Sequence, residues 1–356
     1  MKKAQATSLH ATSQESDNVK QENEQPTEEN VAIEARSLRK YYPLKMGFVK
    51  SLLSSSQPVV HAVERVNLAI RNEEIYGLVG ESGCGKTTTG RLLLRLVEPT
   101  EGQILFKGND ITKLAHDEMR RVRGKMQIIF QDPYESLNPR MSVFDIVAEP
   151  LRIQKIAKSE SDIHERVVEV LRDLDLTPPE EYIYRFPHEL SGGQRQRIAI
   201  SRAFILHPEF MVADEPLSML DASIRSEVAR LLLGIVKKFH CSFLYITHDI
   251  ALARYMCNRV AVMYLGNIVE KGPAEEVIQK PQHPYTEALL AAVPVPDPTA
   301  RRTEVVIKGE VPSAVNPPPG CRFNTRCPYA WDLCKKEEPQ LIRTGEDRSV
   351  ACHKFK

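Results

Sequence analysis

Apolar and polar residues alternate over "VAIEARSL" from Val31 and "HAVERVNLAI" from His61, the period of two that marks half-buried strands. "EIYGLVG" is a short apolar run ending at Gly80, and "FMVAD", "CSFLYIT" and "RVAVMYLG" read as strands buried on both faces. Elsewhere the period lengthens. Ile163, Val167, Val170, Leu171 and Leu174 fall on one helical face, as do Ile224, Val228, Leu231, Leu232 and Ile235. Both faces read as core packing. The second helix separates "FMVAD" from "CSFLYIT", the rhythm of an α/β fold around a mixed sheet. No internal repeat occurs, so the chain carries one copy of its core.

Residues 1 to about 30 are rich in Gln, Glu, Ser, Asn and Thr and hold almost no large apolar side chains. Such a segment cannot bury enough surface to offset ordering and reads as a disordered tail. It lacks the apolar stretch of about 7 to 15 residues that a secretory signal needs. No later stretch approaches the roughly 18 apolar residues of a spanning helix. A soluble, cytosolic chain is expected. The length of 356 residues leaves room for a core domain and a smaller satellite. Past residue 276 the chain becomes proline-rich through "KPQHPY", "VPVPDP" and "NPPPG", which predicts a linker and a separate extension. The net charge of +1, from 48 basic and 47 acidic residues, argues against a nucleic-acid partner. Four of the seven cysteines, Cys321, Cys327, Cys334 and Cys352, gather in the extension. In a reducing compartment they suit a metal better than disulfides.

The sharpest local signal is "GESGCGKT", comprising Gly80, Glu81, Ser82, Gly83, Cys84, Gly85, Lys86 and Thr87, followed by Thr88. It fits G-x-x-x-x-G-K-[ST] and stands between an apolar strand and a helical run, as a phosphate-binding loop requires. Glycines let backbone N–H groups approach the phosphates, and the helix N-terminus favours negative charge. Lys86 would meet the β- and γ-phosphates and Thr87 would offer a hydroxyl to Mg2+. "FMVADEP" then ends a strand on Asp214, a carboxylate suited to the Mg2+ shell, and Glu215, placed to orient or deprotonate a water.

"LSGGQRQRIAISRAFI" from Leu190 resembles the signature of ATP-binding cassette (ABC) ATPases, with Ser191, Gly192, Gly193 and Gln194 opening a helix. The other motifs of that family follow in order. Gln131 in "IIFQDP" matches the Q-loop, whose glutamine also joins the Mg2+ shell. Asp221 in "SMLD" matches the D-loop, and His248 in "LYITHD" the switch histidine. Tyr42 matches the adenine-stacking aromatic, with Tyr41 as the competing register. Met219 stands where the family's D-loop carries alanine.

The resemblance implies an ABC-type ATPase core over residues 31–275, with an antiparallel β subdomain, a helical subdomain at about 132–205, and a C-terminal extension over 276–356. It also implies that the signature loop completes the partner subunit's nucleotide site, so that the chain works as a dimer. "HPYTEALLAAVPVPDP" from His283 and the cysteine tail resemble the ATP-binding subunits of oligopeptide and dipeptide importers. That implies ATP-driven peptide import with a second, related ATPase chain, giving a heterodimer, beneath two membrane permease subunits. An extracytoplasmic binding protein would deliver the cargo, and this chain would sit peripherally on the cytoplasmic face of the membrane. Oligosaccharide or nickel-complex import is the alternative. A non-transport cassette ATPase is the more distant one, disfavoured by the single cassette and the short insertion. The same resemblance implies a 4Fe-4S cluster on the four cysteines. Their C-x5-C-x6-C-x17-C spacing chooses neither iron nor zinc, and zinc or unligated thiols remain the alternatives.

Overall fold

The computed structural model describes residues 30–44, 58–292, 307 and 309–355. The expected disordered tail lies outside the described residues, Asn30 excepted, and so does "VPVPDP".

Among the described residues the strands form two sheets. Strands β1 (Val31–Pro43) and β2 (Val59–Arg71) are the alternating segments, paired antiparallel with Ala35 opposite Leu68. They join β4 (Glu101–Phe106) and β5 (Asn109–Asp110) in the order β2-β1-β4-β5. The second sheet is centred on β3 (Ile75–Val79), β6 (Met126–Ile129), β7 (Phe210–Asp214), β8 (Ser242–Thr247) and β9 (Arg259–Tyr264), which run parallel. β10 (Asn267–Pro273) pairs antiparallel with β9.

Every residue of β7 and β8 is buried, which explains their unbroken apolar sequence. Successive side chains of these strands go to opposite faces and feed two cores. Val212, Leu244 and Ile246 pack with Ile33, Leu68, Ile104, Leu92 and Leu93, under the antiparallel sheet. Met211, Ala213, Phe243 and Tyr245 pack with the helical side.

Residues 132–205 hold helices Pro133–Ser136, Val143–Gln154, Glu160–Asp173 and Gly192–Phe204. Ser142, Ser159 and Ser191 cap the last three, each hydroxyl accepting an amide three residues on. The predicted face Ile163, Val167, Val170, Leu171 and Leu174 is buried throughout. Helix Ala222–Lys238 buries Val228, Leu232 and Ile235, while Ile224 and Leu231 are only partly covered.

The chain beyond residue 276, expected as a separate extension, is built into the core sheet. β12 (Ser349–Val350) pairs with β10, and β11 (Ile342–Arg343) pairs with β12, giving the order β11-β12-β10-β9-β3-β8-β7-β6. Tyr285 and Phe323 belong to the main core. Arg348 Nη2 meets Glu270 Oε1 at 2.8 Å, with side chains 8% and 0% exposed, so a buried ion pair anchors the junction. Proline-rich sequence does not forbid this, because only short pieces of it need ladder hydrogen bonds.

Candidate active site

The parallel strands put the loops after β3, β6, β7 and β8 at one edge of the sheet, the crevice where open α/β sheets bind ligands. A cavity of about 620 Å3 opens there, lined by Tyr42, Ser82, Gly83, Gly85, Lys86, Thr87, Thr88, Gln131, Glu215 and His248, together with Val60, Ala62 and Ala314. Ten of the residues singled out by motif thus converge from five segments of chain.

After β3 the loop takes conformations that glycine alone adopts freely. Gly85 has φ 109°, and a Cβ there would stand 2.2 Å from the Ala62 carbonyl oxygen. Helix Lys86–Leu93 starts directly behind it. Lys86 is buried, its ammonium donating to the carbonyls of Gly80 and Glu81, both at 2.9 Å. Thr87 Oγ1 donates to Asp214 Oδ1 at 2.9 Å, joining the two groups that a magnesium ion would use. Burial pushes the Asp214 carboxyl above its ordinary 3.8, against the opposing Thr87 hydrogen bond and the charge of Arg91. A divalent cation would reverse that direction.

Glu215 follows β7 in a left-handed conformation, φ 46°, held by its amide donating to the Ile246 carbonyl at 2.9 Å. Such a backbone costs a residue with a Cβ of order 1–3 kcal/mol and clusters at functional sites. Here it turns the side chain to the cavity. Gln131 Nε2 donates to Glu215 Oε2 at 3.3 Å, and His248 Nδ1 lies 3.1 Å from the same oxygen. One carboxylate oxygen is therefore engaged twice, leaving the other free for a water proton.

The remaining predicted residues sit elsewhere. Gly80 and the buried Cys84 lie behind the loop, and Glu81 turns its carboxylate away from the cavity. Ser191, Gly192, Gly193 and Gln194 open helix Gly192–Phe204 outside the cavity. A Cβ on Gly193 would meet Ile224 Cγ2 at 2.8 Å, whereas Gly192 has nothing within 4 Å. The closed side packs and the open side faces outward. Asp221 is the exposed residue before helix Ala222–Lys238. The ambiguous tyrosines separate cleanly. Tyr41 spends its hydroxyl on Glu64 at 2.8 Å and packs its ring 4.6 Å from His61, while Tyr42 is the one facing the cavity.

Cys321, Cys327, Cys334 and Cys352 line a single small cavity walled by Phe323 and Trp331. Burial pushes the Cys321 thiol up to about 12 and raises Cys327 and Cys352 as well. Among the described residues no group of three or more His, Cys, Asp or Glu is arranged to hold a metal ion. The expected metal cage is therefore not formed, although its four thiols share one cavity.

Motif reading passed over several neighbours of the site. Tyr285 and Arg326 reach it from the extension through hydrogen bonds to Glu81, and Ala314 lines it. Only the "HPY" stretch gave a signal. His283 Nδ1 accepts the Tyr285 amide at 3.0 Å and caps the helix Pro284–Ala291, with proline at its first position.

Comparison with known proteins agrees with this geometry. Residues 63–218 match the family model described as ABC transporter, and residues 269–334 the one described as oligopeptide/dipeptide transporter, C-terminal region. A probable peptide ABC transporter ATP-binding protein of Sinorhizobium fredii is 46% identical over 321 residues, 90% of this chain and 89% of that one. The oligopeptide transport ATP-binding protein AppF of Bacillus subtilis is 43% identical, covering 91% and 97%. Among solved structures, a dimeric ATP-binding cassette bound to ADP and Pi in a post-hydrolysis state superposes with TM-score 0.59 at 28% identity, over 68% of this chain and 98% of that one. A Clostridium perfringens chain that is part of an ABC transporter complex gives 0.60 at 26% identity, over 71% and 92%. With 46% identity over 90% of the chain and ten motif residues gathered at one crevice, the protein belongs to the ATP-binding subunits of ABC transporters.

Proposed function

We propose that this chain hydrolyses Mg-ATP as one half of a dimer and so energises peptide import across the cytoplasmic membrane. One observation carries the reading. Phosphate loop, Gln131, Glu215 and His248 share a cavity, with the buried Asp214 bonded to its Thr87, while the signature helix start lies outside it with Gly192 open. A signature site that cannot serve its own nucleotide suits a nucleotide held by a second cassette. The relatives named above are called peptide or oligopeptide transport proteins, which supports peptide as the cargo class.

Bound Mg-ATP would supply the phosphoanhydride and the metal charge that stabilises its cleavage. The chain supplies the rest. Lys86 would turn its ammonium to the phosphates, Thr87 and Asp214 would hold the metal with Gln131 beside them, and Tyr42 would stack on the base. Glu215, oriented by His248 and Gln131, would take the proton of the attacking water.

Two permease subunits and an extracytoplasmic binding protein complete the assembly, with a related second cassette as the other half of the dimer. Among the described residues no helix is long and apolar enough to cross a membrane, so attachment would be peripheral, through the permeases. Purified intact complex should hydrolyse ATP faster with its loaded binding protein, and mass spectrometry of that ligand should return a peptide. An oligosaccharide there would refute the cargo while leaving the ATPase standing.

For the four extension thiols the reading is a 4Fe-4S cluster, supported by their shared, aromatic-walled cavity. Thiolates on one zinc stand roughly 3.8 Å apart, given Zn–S bonds of about 2.3 Å, whereas a cluster spreads them over a wider shell. Zinc on the same four thiols is the alternative. Anaerobically purified protein should be brown, with about four iron and four sulfide per chain. A colourless preparation holding stoichiometric zinc would overturn this.

A further inference from the structure

Three groups of one residue, Glu81, are each spoken for, and together they link the extension to the phosphate site. Its carbonyl accepts from Lys86 Nζ at 2.9 Å. Its amide donates to the Tyr285 hydroxyl oxygen at 2.8 Å. Its carboxylate accepts both arms of Arg326, at 2.8 and 3.1 Å. The first bond belongs to the nucleotide site, and the other two come from residues more than 200 positions downstream.

We propose that the C-terminal extension is a working part of its own subunit's nucleotide site, in which Tyr285 and Arg326 are positioning residues that fix Glu81 and, through it, the Lys86 ammonium. This rests on the ATP reading above. The geometry is that of a built clamp. Arg326 is 7% exposed, and its guanidinium lies 5.8 Å from the Tyr264 ring and 5.9 Å from Phe323. Buried within cation–π reach of two rings, the fork meets the carboxylate with both arms. Tyr285 is fully buried, with its ring 4.6 Å from Tyr264 and 5.4 Å from Phe323. It has one orientation available, and that orientation aims the hydroxyl at the loop.

The extension touches the opposite end of the site as well. Ala314 lines the cavity together with Tyr42, and its carbonyl accepts the His61 amide at 2.9 Å. The extension thus adds a residue to the cavity wall as well as the two that hold Glu81. Positioning matters because a catalytic or binding charge displaced by about 1 Å loses much of its effect.

Two variants of the full chain test this, read by displacement of a fluorescent N-methylanthraniloyl nucleotide with ATP and with ADP. Tyr285→Phe removes one oxygen and leaves the aromatic packing, so folding is preserved. Arg326→Lys keeps the charge and breaks the fork. Because Lys86 serves the β- and γ-phosphates, each variant should weaken ATP about tenfold and ADP no more than about threefold. Adding Glu81→Gln to Arg326→Lys should cost little more than the worse single change, the mark of a shared interaction. Affinities within twofold of wild type, or equal losses for ATP and ADP, would overturn the clamp. Wild-type protein that binds neither nucleotide would instead refute the ATP reading.

Discussion

Replacing Glu215 with Gln isolates one atom's chemistry. The side chain is 14% exposed, and one of its oxygens is engaged by His248 at 3.1 Å and Gln131 at 3.3 Å. Glutamine has the same shape and can present its carbonyl oxygen to those two donors, which leaves its NH2 where the free carboxylate oxygen was. Nucleotide contacts are untouched, but the proton acceptor is gone. Loss of a general base costs about 10^2 to 10^4 in rate. At about 1.36 kcal/mol per decade, that raises the barrier by roughly 2.7 to 5.4 kcal/mol. Single-turnover phosphate release from the intact complex measures the chemical step, and light scattering on the isolated ATPase chains reports whether an ATP-held dimer accumulates. The expected outcome is slow release with normal ATP affinity and a longer-lived dimer. Release within about fivefold of wild type would show that the water gives its proton elsewhere and would refute the role given to Glu215.

Three further outcomes follow from distances and burial. Gly85→Ala forces a Cβ against the Ala62 carbonyl at 2.2 Å with φ at 109°, whereas Gly83→Ala, with φ 76° and nothing within 4 Å, meets only the backbone cost of about 1–2 kcal/mol. Nucleotide titration should find the first unable to bind and the second weakened at most tenfold. Arg348→Ala leaves the Glu270 charge, at 0% exposure, with only the amides of Gln282 and His283 and should cost about 3–5 kcal/mol in urea unfolding. Burial pushes the Glu64 carboxyl up, but hydrogen bonds from Tyr41 and His61 and the charges of Arg322 and Arg39 outweigh it and leave it below its ordinary 4.5. As pH falls the unfolded chain takes up that proton first. The stability Glu64 adds is therefore whole above about 4.5 and is lost through the lower folded value, a segment of acid slope that Glu64→Gln should abolish in thermal melts.

The strands and motifs were legible because their signals are local. A phosphate loop needs glycines at fixed spacing, and a buried strand needs an apolar run, so Gly85 and "FMVAD" announce themselves. The Tyr41 and Tyr42 registers were not separable, since what decides them is Glu64, 23 residues from Tyr41, taking the first hydroxyl. The integration of the extension was hidden for the same reason, magnified. Arg326 meets Glu81 across 245 positions, and β12 joins β10 through two residues, too few to carry a period. The "HPY" stretch forms the helix Pro284–Ala291, which packs into the core. Its tyrosine also ends in a hydroxyl that packing alone does not require, aimed at the Glu81 amide.

The position of the signature helix sets what ATP must do in the proposed dimer. Driving a two-state equilibrium from 1:99 to 99:1 takes about 5.5 kcal/mol of differential affinity, or roughly 2.7 kcal/mol from each of two nucleotides. A helix N-terminus contributes about 0.3–1 kcal/mol to a nearby anion, and one charge-assisted hydrogen bond about 1.5–3 kcal/mol. The start of helix Gly192–Phe204 offers its terminal amides and the exposed Ser191, with Gly192 open to approach. One or two such bonds to a γ-phosphate therefore suffice, and they exist only while that phosphate is attached and only across the interface. Removing it cancels the bias in one step, so release of the dimer needs no separate device in this chain.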